Sequence, residues 1–363
     1  MTFKIMTFFL TNLFSFAIFA QQVANDDIYF LTSDSSQNVS HLNRINFNRS
    51  IYSKKLLLNA QLNRYSATSF KTTKDLLITF SSPSSDQTSA LHTLIINRAS
   101  GETKIIAFPA STQAELGISH LIALSANKFL AASNSTKSVY LITTTTTGIP
   151  QVSRIYTQQS VLAASFKSFE LSDDGLNLLF SFDDGQERTA NIEKVFYSYS
   201  LAAKKVKAID ANVACTGALV YISGKPITLI TTGKFVTYCS NFSASSFLEI
   251  DLTLNKVTSY HTDLLLNENS NFAVDANGSF LNVSSNERPT FCSGNITKNQ
   301  SLRCGVATFF PGGKLIRSNL STQFYTLTSN ALYFVNFTSG QTQKSSVFFN
   351  DRITGTILPP FFN

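Results

Sequence analysis

The sequence contains no tryptophan, two methionines and four histidines in 363 residues, and only 14% of it is charged. So little Glu, Lys and Arg leaves few long helix-forming runs, which argues against a helical bundle. A formal net charge of +7 is modest for this length and does not fit a dedicated nucleic-acid binder. Familiar catalytic signatures are missing as well. There is no G-x-S-x-G elbow, no P-loop, no G-x-G-x-x-G and no H-E-x-x-H. The histidines, His41, His92, His120 and His261, are scattered, each on or beside an expected strand. A lone strand histidine is ordinarily a packed or surface residue rather than a ligand. The chain therefore offers no cofactor site, no metal site and no catalytic residue by motif.

What is present is β-forming. Apolar residues make up 43% of the chain and phenylalanine alone contributes 32, enough to offset the ordering entropy of a folded core. The stretch Phe169–Phe182 sets the pattern: an apolar run, a Ser-Asp-Asp-Gly turn, then a second and more apolar run. Comparable turns fall near Asp26, Lys74, Asn127, Gly233, Gly278 and Asn330. The residues that follow them are Asp27, Asp75, Lys128, Leu176, Lys234, Ser279 and Ala331, a loose period of about 50 that signals a repeat architecture. Inside each repeat, up to four runs of four to eight β-branched and aromatic residues are bounded by Asn, Asp, Gly and Ser. The sixth repeat reads as NFAVD, SFLNVSS, LRCGVATFF and GKLIRS; the seventh as FYTLTS, ALYFVNFT and QKSSVFF.

Such repeats resemble a β-propeller of the broad WD40-like or YVTN type, although the Gly-His and Trp-Asp signatures of WD40 repeats and the Asp box of sialidase-type propellers are not matched. The resemblance implies an all-β fold: a single propeller over residues 21–363, with seven blades of up to four antiparallel strands and six or eight also compatible. Repeats are expected at roughly 27–60, 65–110, 118–158, 166–211, 215–263, 271–319 and 323–363. The first repeat lacks an inner strand and the last leaves ITGTIL over, so a closed ring would join the N- and C-terminal ends and remove an exposed sheet edge. A pair of β-sandwiches is the structural runner-up.

Residues 1–20 read as a secretory signal, with Lys4 ahead of an apolar stretch and Ala20 at the cleavage point; an uncleaved signal anchor is the rival reading, short for a span. The expected destination is the secretory lumen or the extracellular space, with no membrane span in the mature chain. Cys215, Cys239, Cys292 and Cys304 then favour two disulfides. Three connectivities are open, and local pairing, Cys215 with Cys239 and Cys292 with Cys304, is the expectation. Sequons for N-glycosylation occur at Asn38, Asn48, Asn134, Asn241, Asn277, Asn282, Asn295, Asn299, Asn319 and Asn336. A chain rich in Asn, Ser and Thr generates many of these by composition alone.

Charge is unevenly spread. Arg44, Arg49, Lys54, Lys55, Arg64, Lys71 and Lys74 follow one another with no acid between them, whereas Glu170, Asp173, Asp174, Asp183, Asp184, Glu187 and Glu193 face only Arg188. The basic run is a candidate sector for an acidic glycan or an acidic protein partner; its plainer role is to keep outer strands soluble. The paired Asp residues similarly suit turns better than calcium or acid–base chemistry. The first expectation is a secreted, non-enzymatic module that binds a protein or glycan partner through its loops. A propeller hydrolase, lactonase or lyase with its site at the central channel is the alternative, and a structural coat component a third class.

Overall fold

A computed structural model describes residues 27–34, 37–46, 51–59, 64–68, 75–83, 89–97, 100, 102–145, 150–159, 165–172, 175–183, 196–209, 221–222, 228–231, 233–240, 245–262, 264, 270–274, 278–284, 290–296, 302–306, 315–317, 323–327, 331–336 and 342–348. Turn residues divide these segments into strands that pair antiparallel with their neighbours in sequence, giving seven sheets. The first has three strands, β1 (Asp27–Asp34), β2 (Val39–Asn46) and β3 (Ile51–Leu58). The second holds β4 (Arg64–Thr68), β5 (Asp75–Pro83), β6 (Ser89–Asn97) and β7 (Thr103–Ala107). After a one-helix connection come β8 (Ile118–Ser125), β9 (Lys128–Ser133), β10 (Ser138–Thr143) and β11 (Gln151–Thr157). The fourth sheet is β12 (Ser165–Leu171), β13 (Asn177–Asp183), β14 (Phe196–Ser200) and β15 (Lys205–Ile209).

In the fifth sheet the first strand is split into β16 (Tyr221–Ile222) and β17 (Thr228–Thr231). Both pair with β18 (Lys234–Ser240), which is followed by β19 (Ser245–Asp251) and β20 (Lys256–Thr262). Gly224 and Pro226 stand between the two pieces, and proline cannot donate to a ladder. The sixth sheet is β21 (Ser270–Val274), β22 (Ser279–Ser284), β23 (Thr290–Asn295) and β24 (Arg303–Val306); the seventh is β25 (Leu315–Arg317), β26 (Gln323–Leu327), β27 (Ala331–Asn336) and β28 (Thr342–Phe348).

Two details differ from the sequence reading. Leu315–Arg317 opens the seventh sheet by pairing with β26, and the sixth sheet takes Thr290–Asn295 as its third strand. That strand, TFCSGN, carries Gly294 and Cys292 where β-branched residues were sought, so local pattern passed it over. In consequence Ala331 begins the third strand of its sheet, whereas Asp75, Lys128, Lys234 and Ser279 each begin the second. The three-stranded first sheet fits a repeat without its inner strand; ITGTIL lies outside the described residues, as do residues 1–20.

The helix α1 (Ala110–Leu116) was not anticipated. Pro109 precedes it, and Gly117, at φ 58°, ends it by donating to the Ala114 carbonyl. Gln113 accepts a hydrogen bond from the Leu91 N–H, which ties the helix to β6.

Apolar side chains fill the spaces between adjacent sheets. Leu77, Leu121, Phe129, Tyr140, Phe166, Phe169, Phe180 and Phe182 belong to one cluster running from the second sheet to the fourth. On β22, Phe280 packs toward Val236, Tyr238 and Phe247 of the fifth sheet, while Leu281 and Val283 pack with Leu315 and Val335 of the seventh. A central strand buried on both faces needs apolar residues at consecutive positions, which is why these strands read as continuous runs rather than alternations. Polar links accompany this packing. Thr79 Oγ1 donates to the Leu121 carbonyl at 2.6 Å, Asn134 Oδ1 accepts from Phe166 N at 2.9 Å, and Asn255 Nδ2 donates to the Ala208 carbonyl at 3.3 Å.

The turn that marks the repeat has a common backbone bond. In four successive sheets the residue just after the third strand, Thr144, Leu201, Leu252 or Ile296, donates to the carbonyl just before the second strand, on Asn127, Leu176, Gly233 or Gly278, each at 2.8 Å. Gly175, Gly233 and Gly278 all have positive φ, at 70°, 70° and 77°. Glycine is placed where the turn demands a left-handed residue.

Candidate functional site

The fifth sheet brings one cation and two carboxylates together. Register sets Lys234 opposite Asp251 and Val236 opposite Glu249, so alternation puts Lys234, Glu249 and Asp251 on one face. Lys234 Nζ lies 3.0 Å from Glu249 Oε1 and 3.4 Å from Asp251 Oδ2, and both carboxylates are largely buried. Asp251 Oδ1 also accepts from Thr253 N at 2.9 Å, Thr253 Oγ1 at 2.6 Å and Leu254 N at 3.0 Å. Burial pushes the Asp251 carboxyl up, but the Thr253 and Leu254 hydrogen bonds and Lys234 outweigh it and hold the group below its ordinary value. The hydrogen bond from Lys234 to Glu249 raises the ammonium value against the opposing effect of burial. With this many donors, Asp251 is fixed as a turn anchor and is poorly suited to accept a proton in catalysis.

The first strands of the third and fourth sheets bring a histidine against aromatic rings. His120 on β8 lies 6.2 Å from Phe166 and 6.1 Å from Phe169 on β12. Its Nδ1 is 3.0 Å from Ser119 Oγ, which donates to the Ala132 carbonyl at 3.1 Å. A serine whose proton is directed to a backbone carbonyl is not presented as a nucleophile to the ring. Glu170 alternates with Phe169 along β12 and so points to the opposite face from the ring beside His120. Of the other histidines, His41 on β2 is half-buried, His92 stacks on Phe80 at 5.2 Å, where burial lowers its pKa, and His261 on β20 is exposed. No group of three or more His, Cys, Asp or Glu able to hold a metal occurs among the described residues.

Of the basic run, Arg44, Lys54 and Lys55 lie on β2 and β3 and Arg64 on β4, while Arg49, Lys71 and Lys74 fall outside the described residues. Lys55 is exposed and donates to Thr103 Oγ1 at 2.7 Å, joining the last strands of the first two sheets. Asp173, Asp174, Asp184, Glu187 and Glu193 are outside the described residues. Cys292 and Cys304 are register partners on β23 and β24 and are bonded to each other; Cys215 is not among the described residues. Five sequons are placed. Asn38 is exposed in the β1–β2 turn, Asn134 and Asn295 are half-buried, Asn336 is exposed at the end of β27, and Asn282 is buried within β22. Asn48, Asn241, Asn277, Asn299 and Asn319 lie outside.

No family model and no curated protein matches this sequence. Solved structures do match in fold. A putative 6-phosphogluconolactonase from Bacteroides fragilis is 9% identical with a TM-score of 0.51, over 91% of this chain and 97% of that one. A periplasmic gluconolactonase from Pseudomonas aeruginosa is 11% identical with a TM-score of 0.51, over 92% and 98%. A puromycin hydrolase is 11% identical with a TM-score of 0.50, and this chain spans 53% of its length. Among the described residues, seven consecutive antiparallel sheets, six of them with at least four strands, complete the assignment. The chain is a β-propeller. At these identities the likeness establishes the fold of the propeller alone.

Proposed function

We propose that this propeller is a secreted enzyme that opens a small sugar-acid lactone or a related ester at one end of its blades. The observation that carries the reading is whole-length correspondence: the match runs over nearly all of this chain and nearly all of a gluconolactonase and of a putative 6-phosphogluconolactonase. Lactone opening needs a base that activates water and donors that stabilise the developing oxyanion. A propeller assembles such groups from several first strands at once, so neither a local motif nor a single blade would carry them. The test is hydrolysis by the full chain purified from a eukaryotic secretory host, followed as acid release from gluconolactone, 6-phosphogluconolactone and simple aryl esters. Turnover above the uncatalysed rate supports the reading. Rates equal to buffer across all three substrates overturn it.

A binding role has one observation of its own. Arg44, Lys54, Lys55 and Arg64 are brought onto three successive strands of two neighbouring blades. Retention on heparin that falls with salt and disappears in the Arg44→Ala, Lys54→Ala, Lys55→Ala triple variant would favour it over the enzyme.

A further inference from the structure

The ten sequons are equivalent as sequence but not as structure. Transfer of an N-glycan forms a bond from Asn Nδ2 to the anomeric carbon of a lipid-pyrophosphate-linked oligosaccharide. The bond from that carbon to the pyrophosphate oxygen breaks, the lipid pyrophosphate leaves, and Nδ2 gives up one proton. Transfer acts on the unfolded chain, so every sequon is accessible at first. The fold then decides which modified chains can complete it, because the sugar on Nδ2 must have somewhere to go.

We propose that Asn38 and Asn336 carry glycans in the folded protein and that Asn282 carries none. Asn38 sits at the tip of the β1–β2 hairpin beside Gln37, both exposed, and its φ of 53° is the left-handed conformation that asparagine tolerates in turns. A sugar there extends from a hairpin tip and displaces no packed atom. Asn336 is exposed at the last position of β27.

Asn282 is the opposite case. It is 6% exposed, in the second strand of its blade, with register partners Phe272 on one side and the disulfide-bonded Cys292 on the other. Its neighbours Leu281 and Val283 are fully enclosed. One extra methylene in a packed interior costs about 1–3 kcal/mol, and a hexose brings many times that volume. A chain modified at Asn282 therefore cannot close the sixth blade.

The inference rests on the secretory reading of residues 1–20 and not on the lactone reading. Its test is peptide mapping of the full chain purified by affinity tag from eukaryotic cells and medium together, after selection for protease resistance. Enzymatic glycan release in heavy-oxygen water marks each formerly modified Asn as a labelled Asp. Label at Asn38 and Asn336 with none at Asn282 is the expected result. The variants Asn38→Gln and Asn336→Gln should each lose that one labelled peptide and stay protease-resistant, and Asn282→Gln should leave the glycan pattern unchanged. Label at Asn282 in the resistant fraction overturns the exclusion. Absence of label at Asn38 or Asn336, including a wholly unmodified chain, overturns the assignment.

Discussion

Replacing Lys234 with Met removes a cation shared by Glu249 and Asp251 while keeping the stem that crosses the sheet. Stripping the partner from a buried ion pair costs about 3–5 kcal/mol, because a carboxylate is left out of water without compensation. Two features lower that figure here. The Lys234 side chain is 36% exposed, so solvent already screens it, and Asp251 keeps its three donors from Thr253 and Leu254. A loss of about 2 kcal/mol is expected at neutral pH. With unfolding entropy of about 2.1 cal/mol/K per residue, that lowers the melting midpoint of a chain this long by about 3 °C. The dependence on pH has a definite sign. Asp251 is depressed in the folded state, so its stabilisation is present above the ordinary carboxylate value and is lost as pH falls through the folded one. Lys234 is raised, so its share is present below pH 10.5 and is lost as pH rises through its folded value. Thermal melts of wild type, Lys234→Met, the Glu249→Gln, Asp251→Asn double variant and the triple variant form the assay. Coupling requires that Lys234→Met cost little in the double-variant background. An equal cost in both backgrounds, or an unchanged midpoint in wild type, refutes the argument.

Phe180 is fully buried, stacked on Tyr197 at 5.4 Å and edge-on to Phe182. Phe180→Ala should therefore cost about 3–5 kcal/mol in denaturant melts and Phe180→Leu clearly less. Exchanging both Cys292 and Cys304 for Ser opens a short loop, a separation of 12 in sequence. The loss should be about 3 kcal/mol by loop entropy, read as a lower denaturation midpoint under non-reducing conditions. Gly117→Ala should destabilise, since its φ is 58° and an added Cβ would fall on Ser135 Oγ; the thermal midpoint should drop, and a Ser135→Gly background should recover only the steric part.

Much of the architecture was legible because it is written locally. The turn residues before Asp75, Lys128, Lys234 and Ser279 announce second strands, and the runs after them are apolar at consecutive positions because both faces are covered. The phase of the last two blades was not legible. Thr290–Asn295 has weak strand chemistry, and only its pairing with β22 and the bond to Cys304 identify it. The short helix at Ala110 follows Pro109 with no apolar stripe to signal it. The Lys234–Glu249–Asp251 group was invisible for a different reason: its members are 15 and 17 positions apart, and only cross-strand register brings them together. A functional site assembled from several first strands is hidden in the same way, at still greater separations.

Every described strand pairs within its own blade, and the common bond between the two turns of a blade joins residues no more than 25 positions apart. Each blade can consequently mature as soon as its own residues have emerged from the ribosome, without waiting for distant partners. The Cys292–Cys304 bond lies inside a single hairpin, so its oxidation belongs to the same early moment. Synthesis would thus lay down the wheel one spoke at a time, and a lesion in one blade would stall those that dock on it while leaving earlier ones formed.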